Sequence, residues 1–157
     1  MSAPFSTCLW FDGCAEEAVQ HYLSVFKDGS TGRITRYTEA GPGPEGSVMA
    51  IEFTINGQDF MALNGGPMFK FTEAVSFQIR CADQDEVDYY WDRLTEGGEE
   101  SQCGWLKDKF GVSWQVYPAD LPDLIADPER GPRTAQAMYE MSKIDYAALR
   151  RAYDGTA

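Results

Sequence analysis

The side chains that could do chemistry are few, and their spacing limits what that chemistry could be. His21 is the single histidine of the 157-residue chain. Sites needing two imidazoles from one chain, such as the common zinc triads and two-histidine iron centres, are thereby excluded. His21 sits in a helical stretch beside Tyr22 and reads as a packing or solvated imidazole. Cys8, Cys14, Cys81 and Cys103 show no C-x-x-C spacing. They read as reduced thiols that pack as small hydrophobes. Glu52 is the one weak candidate for a catalytic base, because strand alternation sets it opposite Ile51 and Phe53; the plainer reading is a solvated or ion-paired glutamate. Asn64-Gly65-Gly66-Pro67 lacks both a Lys-Ser/Thr pair and a following helix, so it reads as a linking turn and not a phosphate loop. Lys107 and Asp108, near a hairpin, read as surface charges.

A second set of residues could bind without reacting. Over 75–81, alternation turns Phe77 and Ile79 to one face and Ser76, Gln78 and Arg80 to the other. Over 112–117, Ser113, Gln115 and Tyr117 share a face. Phe60, Ala62 and Asn64 over 58–64, with Cys8 and Trp10 on the first strand, are expected to complete the lining. The candidate ligand-binding residues are therefore Cys8, Trp10, Asn64, Ser76, Gln78, Gln115 and Tyr117. Amides and hydroxyls among apolar side chains are the usual make-up of a small-molecule pocket. The alternative is that they satisfy one another in a filled core. Trp105 and Trp114 read as core.

The elements that must position these groups can be read in order. Residues 5–11 read as a strand, closed by Asp12-Gly13. Over 14–27, Ala18, Val19, Tyr22, Leu23, Val25 and Phe26 make a helical stripe, with Glu16 and Glu17 in the first turn and Lys27 in the last. Strands follow at 32–39, 48–55 and 58–63, the last two joined by the hairpin signal Asn56-Gly57. The pattern then restarts. A strand at 75–81 leads to Asp83 and Glu86 as a capping box, a helix carrying Val87, Tyr90, Trp91 and Leu94, and strands at 99–103, 105–109 and 112–117. Residues 8–29 align without a gap on 77–98, Tyr22 meeting Trp91 and Gly29 meeting Gly98. The fold class is α+β: two tandem βαβββ modules forming a curved mixed sheet around a cleft, with a C-terminal helical tail. The expected division is a single domain over 1–157, with module one at about 5–64, module two at about 74–118 and the tail at about 120–153. Within the tail, Asp127-Pro128-Glu129 reads as a helix start, and Ile144, Asp145 and Leu149 as a capped and stapled one. The tail should lie on the body or on a second subunit.

Composition removes other classes. Thirteen Lys and Arg against 25 Asp and Glu give a net charge of −12. No phosphate-neutralising surface is present, so no nucleic-acid partner and no polybasic membrane anchor is expected. No apolar run approaches the roughly 20 residues of a membrane span. The first residues lack the pattern of a secretory signal, so the expected location is cytoplasmic.

The stretches LWFDG-CAEEAVQHYLSVF, FMALNGGPMFKF, SFQIRCADQDEVDYYWDRL and CGWLKDKFGVSWQVYP resemble the PhnB-like branch of the vicinal oxygen chelate superfamily. Its members also carry a "3-demethylubiquinone 3-methyltransferase" domain label. The resemblance covers roughly Thr7 to Tyr153. It implies paired βαβββ modules, a small-molecule ligand and a homodimer. Superfamily members include glyoxalases, extradiol dioxygenases and antibiotic-resistance proteins, many holding one divalent metal. Here the corresponding ligand positions fall on Ser6 or Thr7, Ala62, Ser76 and Gln115. None is a strong ligand, so no metal and no cofactor is expected. The reading is a protein of uncertain activity that binds a small organic molecule in a metal-free cleft; whether it is an enzyme stays open. The alternatives are a methyltransferase, a non-catalytic protein that sequesters its ligand, and a metal-dependent lyase or dioxygenase borrowing ligands from a second chain. The methyltransferase is disfavoured because the only G-x-G cluster, residues 41–46, is broken by Pro42 and Pro44 and leads into a strand.

Overall fold

The computed structural model describes residues 2–156, in two compact units divided after Lys70. In the first unit, strand β1 (Thr7–Phe11) leads to helix α1 (Ala15–Val25), then strands β2 (Gly29–Arg36), β3 (Val48–Ile55) and β4 (Gln58–Asn64). The sheet order is β1-β4-β3-β2, with β1 parallel to β4 and the other pairs antiparallel. Ala18, Val19, Tyr22 and Val25 form the buried stripe of α1, which packs on β3 and β4. They meet Leu9, Phe11, Ile51, Phe53, Phe60 and Ala62, all buried. Tyr22 and Phe53 stack at 6.4 Å, and Phe53 and Phe60 at 5.3 Å. Asn56 and Gly57 both have positive φ, 48° and 80°, as a two-residue hairpin turn of the primed type requires.

The second unit repeats this order. Strand β5 (Ser76–Cys81) is followed by α2 (Gln84–Thr95), β6 (Glu99–Glu100), β7 (Trp105–Lys107) and β8 (Ser113–Pro118). The sheet order is β5-β8-β7-β6, the same topology as in the first unit. The repeat read from the sequence is therefore real. Asp83 caps α2 by accepting from Glu86 N at 2.9 Å, and Glu86 accepts in return from Ala82 N at 2.6 Å. Val87, Trp91 and Leu94 are the buried stripe of α2. Each aliphatic member contributes about 1.5–3 kcal/mol by leaving water.

Three helices close the chain: α3 (Leu121–Ala126), α4 (Gly131–Tyr139) and α5 (Tyr146–Asp154). Leu121, Ile144 and Leu149 form a buried cluster with Tyr117 of β8, so the tail packs on the second unit. Asp145 accepts from Ala148 N at 2.9 Å, and Ile144 and Leu149 are both fully buried, as a capped and stapled start demands.

Two expectations about elements need correction. Asp127 does not open a helix at Pro128. It accepts from Glu129 N and Arg130 N, fixing a turn, and α4 starts at Gly131. The sixth strand stops at Glu100 instead of reaching residue 103, because Cys103 and Gly104 adopt φ of 60° and 82°. That left-handed pair cannot continue a ladder. Its N–H groups donate instead to Met141 O and Ser142 O of the tail.

Candidate functional site

The second unit has two unlike sheet faces. Phe77, Ile79 and Cys81 pair with Trp114, Val116 and Pro118 on the face covered by α2. Ser76, Gln78 and Arg80 pair with Ser113, Gln115 and Tyr117 on the far face. From β7, Trp105 pairs with Gln115 and Lys107 with Ser113, so both join the far face. Gln115 Nε2 donates to Ser76 Oγ at 2.9 Å, and Tyr117 OH donates to Gln78 Oε1 at 3.0 Å. Ser76, Gln78 and Gln115 are not buried. These two bonds leave the Gln115 carbonyl, the Gln78 amide N–H groups and the Ser76 hydroxyl proton with capacity for a ligand. The structure thus brings together four of the expected binding residues: Ser76, Gln78, Gln115 and Tyr117.

The first unit departs from expectation. Cys8 pairs with Met61 and Trp10 with Leu63, so the far face of this sheet carries Cys8, Trp10, Met61 and Leu63. Phe60, Ala62 and Asn64 pair instead with Thr7, Leu9 and Phe11, on the face that α1 covers. Met61 and Leu63 are as apolar as Phe60 and Ala62, so alternation over 58–64 has no unique phase. Asn64 consequently leaves the expected set. Its Oδ1 accepts from Ala15 N at 2.9 Å, and its Nδ2 donates to Glu16 Oε1 at 2.8 Å and Val48 O at 3.1 Å. It caps α1, whose own flanking residue Cys14 makes no side-chain cap. Asn64 also borders a separate recess of about 440 Å³, with Asp12, Glu16, Tyr37, Pro42 and Ser47.

On the far face of the first sheet, Trp10 donates from Nε1 to Gly66 O at 2.8 Å and meets the Phe69 ring edge-on at 4.9 Å. A Cβ on Gly65 would lie 2.3 Å from the Trp10 ring, so only glycine fits the linking turn. Cys8 is exposed, and partial desolvation raises its thiol pKa, which keeps the thiolate scarce at neutral pH. Cys81 is pushed up to about 12 by burial, with Glu86 and Asp83 adding to the effect. Glu52 lies on the same face as Cys8, since its strand partner is Met61. It accepts from Arg33 Nη2 at 2.7 Å, and this exposed ion pair engages the carboxylate that a base would need free.

The donor set does not suit a divalent cation. Thr7 and Ala62 are on the α1 side of their sheet, while Ser76 and Gln115 bond to each other. Among the described residues, no group of three or more His, Cys, Asp or Glu is placed to hold a metal ion. His21 rides on α1 with its ring 5.8 Å from that of Tyr22.

Two further readings of single residues change. Asp108 is no surface charge. It is 3% exposed and accepts from Phe110 N, Val112 N and Trp114 Nε1 at 2.9–3.0 Å. Trp114 is core, as expected, but Trp105 is only half-buried and belongs to the far face. The alternation Trp105-Leu106-Lys107 was the available signal for both Trp105 and Lys107, since Leu106 is the buried member.

Comparison with known proteins fits this architecture. The family model for 3-demethylubiquinone-9 3-methyltransferase matches residues 3–117, so the tail from Pro118 onward lies outside it. A PhnB protein from Bacillus cereus, described as a putative 3-demethylubiquinone-9 3-methyltransferase, is 38% identical with a TM-score of 0.67. The match covers 74% of this chain and 100% of that one. A Pseudomonas aeruginosa protein shares the fold at 20% identity and TM-score 0.59, covering 72% and 95% of the two chains. The fosfomycin resistance protein FosX from Listeria monocytogenes, solved with Mn(II) and sulfate, does so at 15% identity and TM-score 0.50, covering 75% and 90%. No functionally curated protein matches the chain.

Proposed function

The chain belongs to the PhnB-like family labelled 3-demethylubiquinone-9 3-methyltransferase, within the vicinal oxygen chelate superfamily, and from that premise we propose that it binds a small organic molecule on the far face of its second sheet, without a metal. The observation that carries the reading is the array of Ser76, Gln78 and Gln115, none of them buried, with the buried Tyr117, paired into two hydrogen bonds and keeping spare donors and acceptors. Such groups orient a polar ligand through hydrogen bonds alone. A metal-dependent lyase or dioxygenase finds no ligand set in these residues. A methyl donor such as S-adenosylmethionine is usually held at a glycine-rich loop between a strand and a helix; the 41–46 loop instead connects β2 to β3. The family label alone is no ground for methyl transfer.

The proposal includes a homodimer, which rests on the resemblance and the helical tail, and a cytoplasmic location, which rests on the pattern of the first residues and the scattered cysteines. No helix among the described residues is long and apolar enough to cross a membrane. A solution mass equal to one chain would remove the dimer from the reading. The binding claim is tested by a thermal-shift screen of polar fragments against the full chain and its Gln115→Leu variant. The expected result is a set of stabilising fragments that lose their effect in the variant. Fragments that stabilise both proteins equally would count against this face.

A further inference from the structure

The far face of the second sheet continues past Ser76 and Gln115 into a recess of about 110 Å³ at its β6–β7 edge. Strand register builds it. Glu99 pairs with Lys107, Lys107 with Ser113, and Ser113 with Ser76, so the four residues form one row across the sheet. Ser113 is 2% exposed, and its Oγ has no hydrogen-bond partner among the described residues. Buried hydroxyls are normally satisfied, and Ser113 is among the residues that line the recess.

The charges around the recess have a definite sign pattern. Lys107 Nζ contacts the carboxylate of Glu73, in the turn before β5. Glu99 acts on the same ammonium across the strand pair. Glu100 also borders the recess, but its carboxylate accepts from Trp91 Nε1 at 3.0 Å and is engaged with α2. The recess is therefore bordered by three carboxylates, one of them engaged by Trp91, with one ammonium and one unmatched hydroxyl, beside the half-buried Trp105 ring. A simple anion would meet three like charges. A simple cation would leave the Ser113 hydroxyl and the spare Lys107 donors unmatched, since an ammonium carries three N–H groups.

We infer that this recess binds a small molecule bearing both a carboxylate and an ammonium group, of the size of a short amino acid. The ligand carboxylate accepts from Lys107 Nζ and Ser113 Oγ. Its ammonium donates to Glu99, and its apolar substituent lies against Trp105. Opposite charges then face each other at both ends, the arrangement that gives specificity. The volume, equal to roughly four waters at about 30 Å³ each, limits the ligand to a short side chain. The inference rests on the far-face reading above and assigns that face a ligand class.

The test is a titration of the full-length protein, followed by NMR, with L-alanine, propionate and ethylammonium as separate probes. L-alanine is expected to bind at least tenfold more tightly than either single-charge probe. Ser113→Ala should weaken L-alanine binding about tenfold, the usual effect of losing one hydrogen bond to a charged group, and Ser113→Thr should restore much of it. Lys107→Met should remove selectivity for L-alanine over ethylammonium. Equal binding of all three probes, or none, with the fold intact by circular dichroism, would overturn the ligand class. If polar fragments still shift the Gln78 and Gln115 side-chain amides, only the class fails. If no fragment shifts those amides, the far-face reading fails with it.

Discussion

The two sheets share one strand order and one helix placement, yet their far faces differ in kind. The first presents Cys8, Trp10, Met61 and Leu63, with the Arg33–Glu52 pair as its charged element. The second presents Ser76, Gln78, Gln115 and Tyr117, with Glu99, Lys107 and Ser113 in one row. The α-covered faces, by contrast, are alike, built from aromatic and branched side chains on both sheets. What the repeat preserves is the part that buries apolar area. What it leaves free to diverge is the far face, which the proposed reading assigns to ligand binding. Polar capacity concentrated on one of two like scaffolds is a reason to place recognition there.

The units also differ in how polar groups stabilise them, and this gives the largest expected effect. In the second, Asp108 satisfies two backbone N–H groups and one indole N–H from within the core. Asp108→Ala leaves those donors buried and unpaired, and should destabilise the protein by about 3 kcal/mol or more in urea unfolding. In the first unit, Asn64 performs the related task for α1. Asn64→Ala should cost about 1–2 kcal/mol by the same measurement. A larger loss at Asn64 than at Asp108 would reverse the contrast.

The charged pairs on the two far faces should matter less for stability. Arg33 and Glu52 are 75% and 39% exposed at the side chain. Arg33→Ala should change stability by less than about 1 kcal/mol, as exposed pairs do. Its use is to show that Glu52 is not a base: Glu52→Gln should leave any activity found for the protein unchanged.

The smallest effect is a titration. The Lys107 ammonium holds the Glu73 carboxyl below its ordinary range, and Glu73 in turn holds Lys107 above its own. A lowered carboxyl pKa favours the folded state above the ordinary glutamate range, and that contribution is lost as pH falls through the folded-state value. A raised lysine pKa acts below the ordinary lysine range and is lost as pH rises through its folded value. The pair is therefore intact across neutral pH. In Lys107→Met, the Glu73 carboxyl followed by NMR should titrate at higher pH than in the wild type; an unchanged midpoint would mean that the pair does not persist in solution.

The fold was largely legible in the sequence because its signals are periodic and local. The Asn56-Gly57 turn, the Asp83–Glu86 cap and the apolar stripes of α1 and α2 each specify an element without reference to distant residues. The site was legible where alternation had a clear phase. Over 76–81 and 113–117 polar and apolar residues alternate cleanly, and the faces came out as read. Over 58–64 both phases are apolar, so only the pairing of Leu9 with Ala62 decides which side is covered, and that is a tertiary fact. Asp108 fails for a related reason. Its partners are two following backbone N–H groups and an indole six positions away, and a carboxylate near a hairpin has the same local signature whether it is buried or solvated.

The central claim is that recognition belongs to the far face of the second sheet. The most direct measurement is the NMR response of side-chain amides as polar fragments are added to the full-length protein. The account predicts shifts at Gln78 and Gln115, with Asn64 of the first unit unmoved. Fragments that instead shift Asn64, beside the recess lined by Tyr37, while leaving Gln78 and Gln115 unchanged would contradict it.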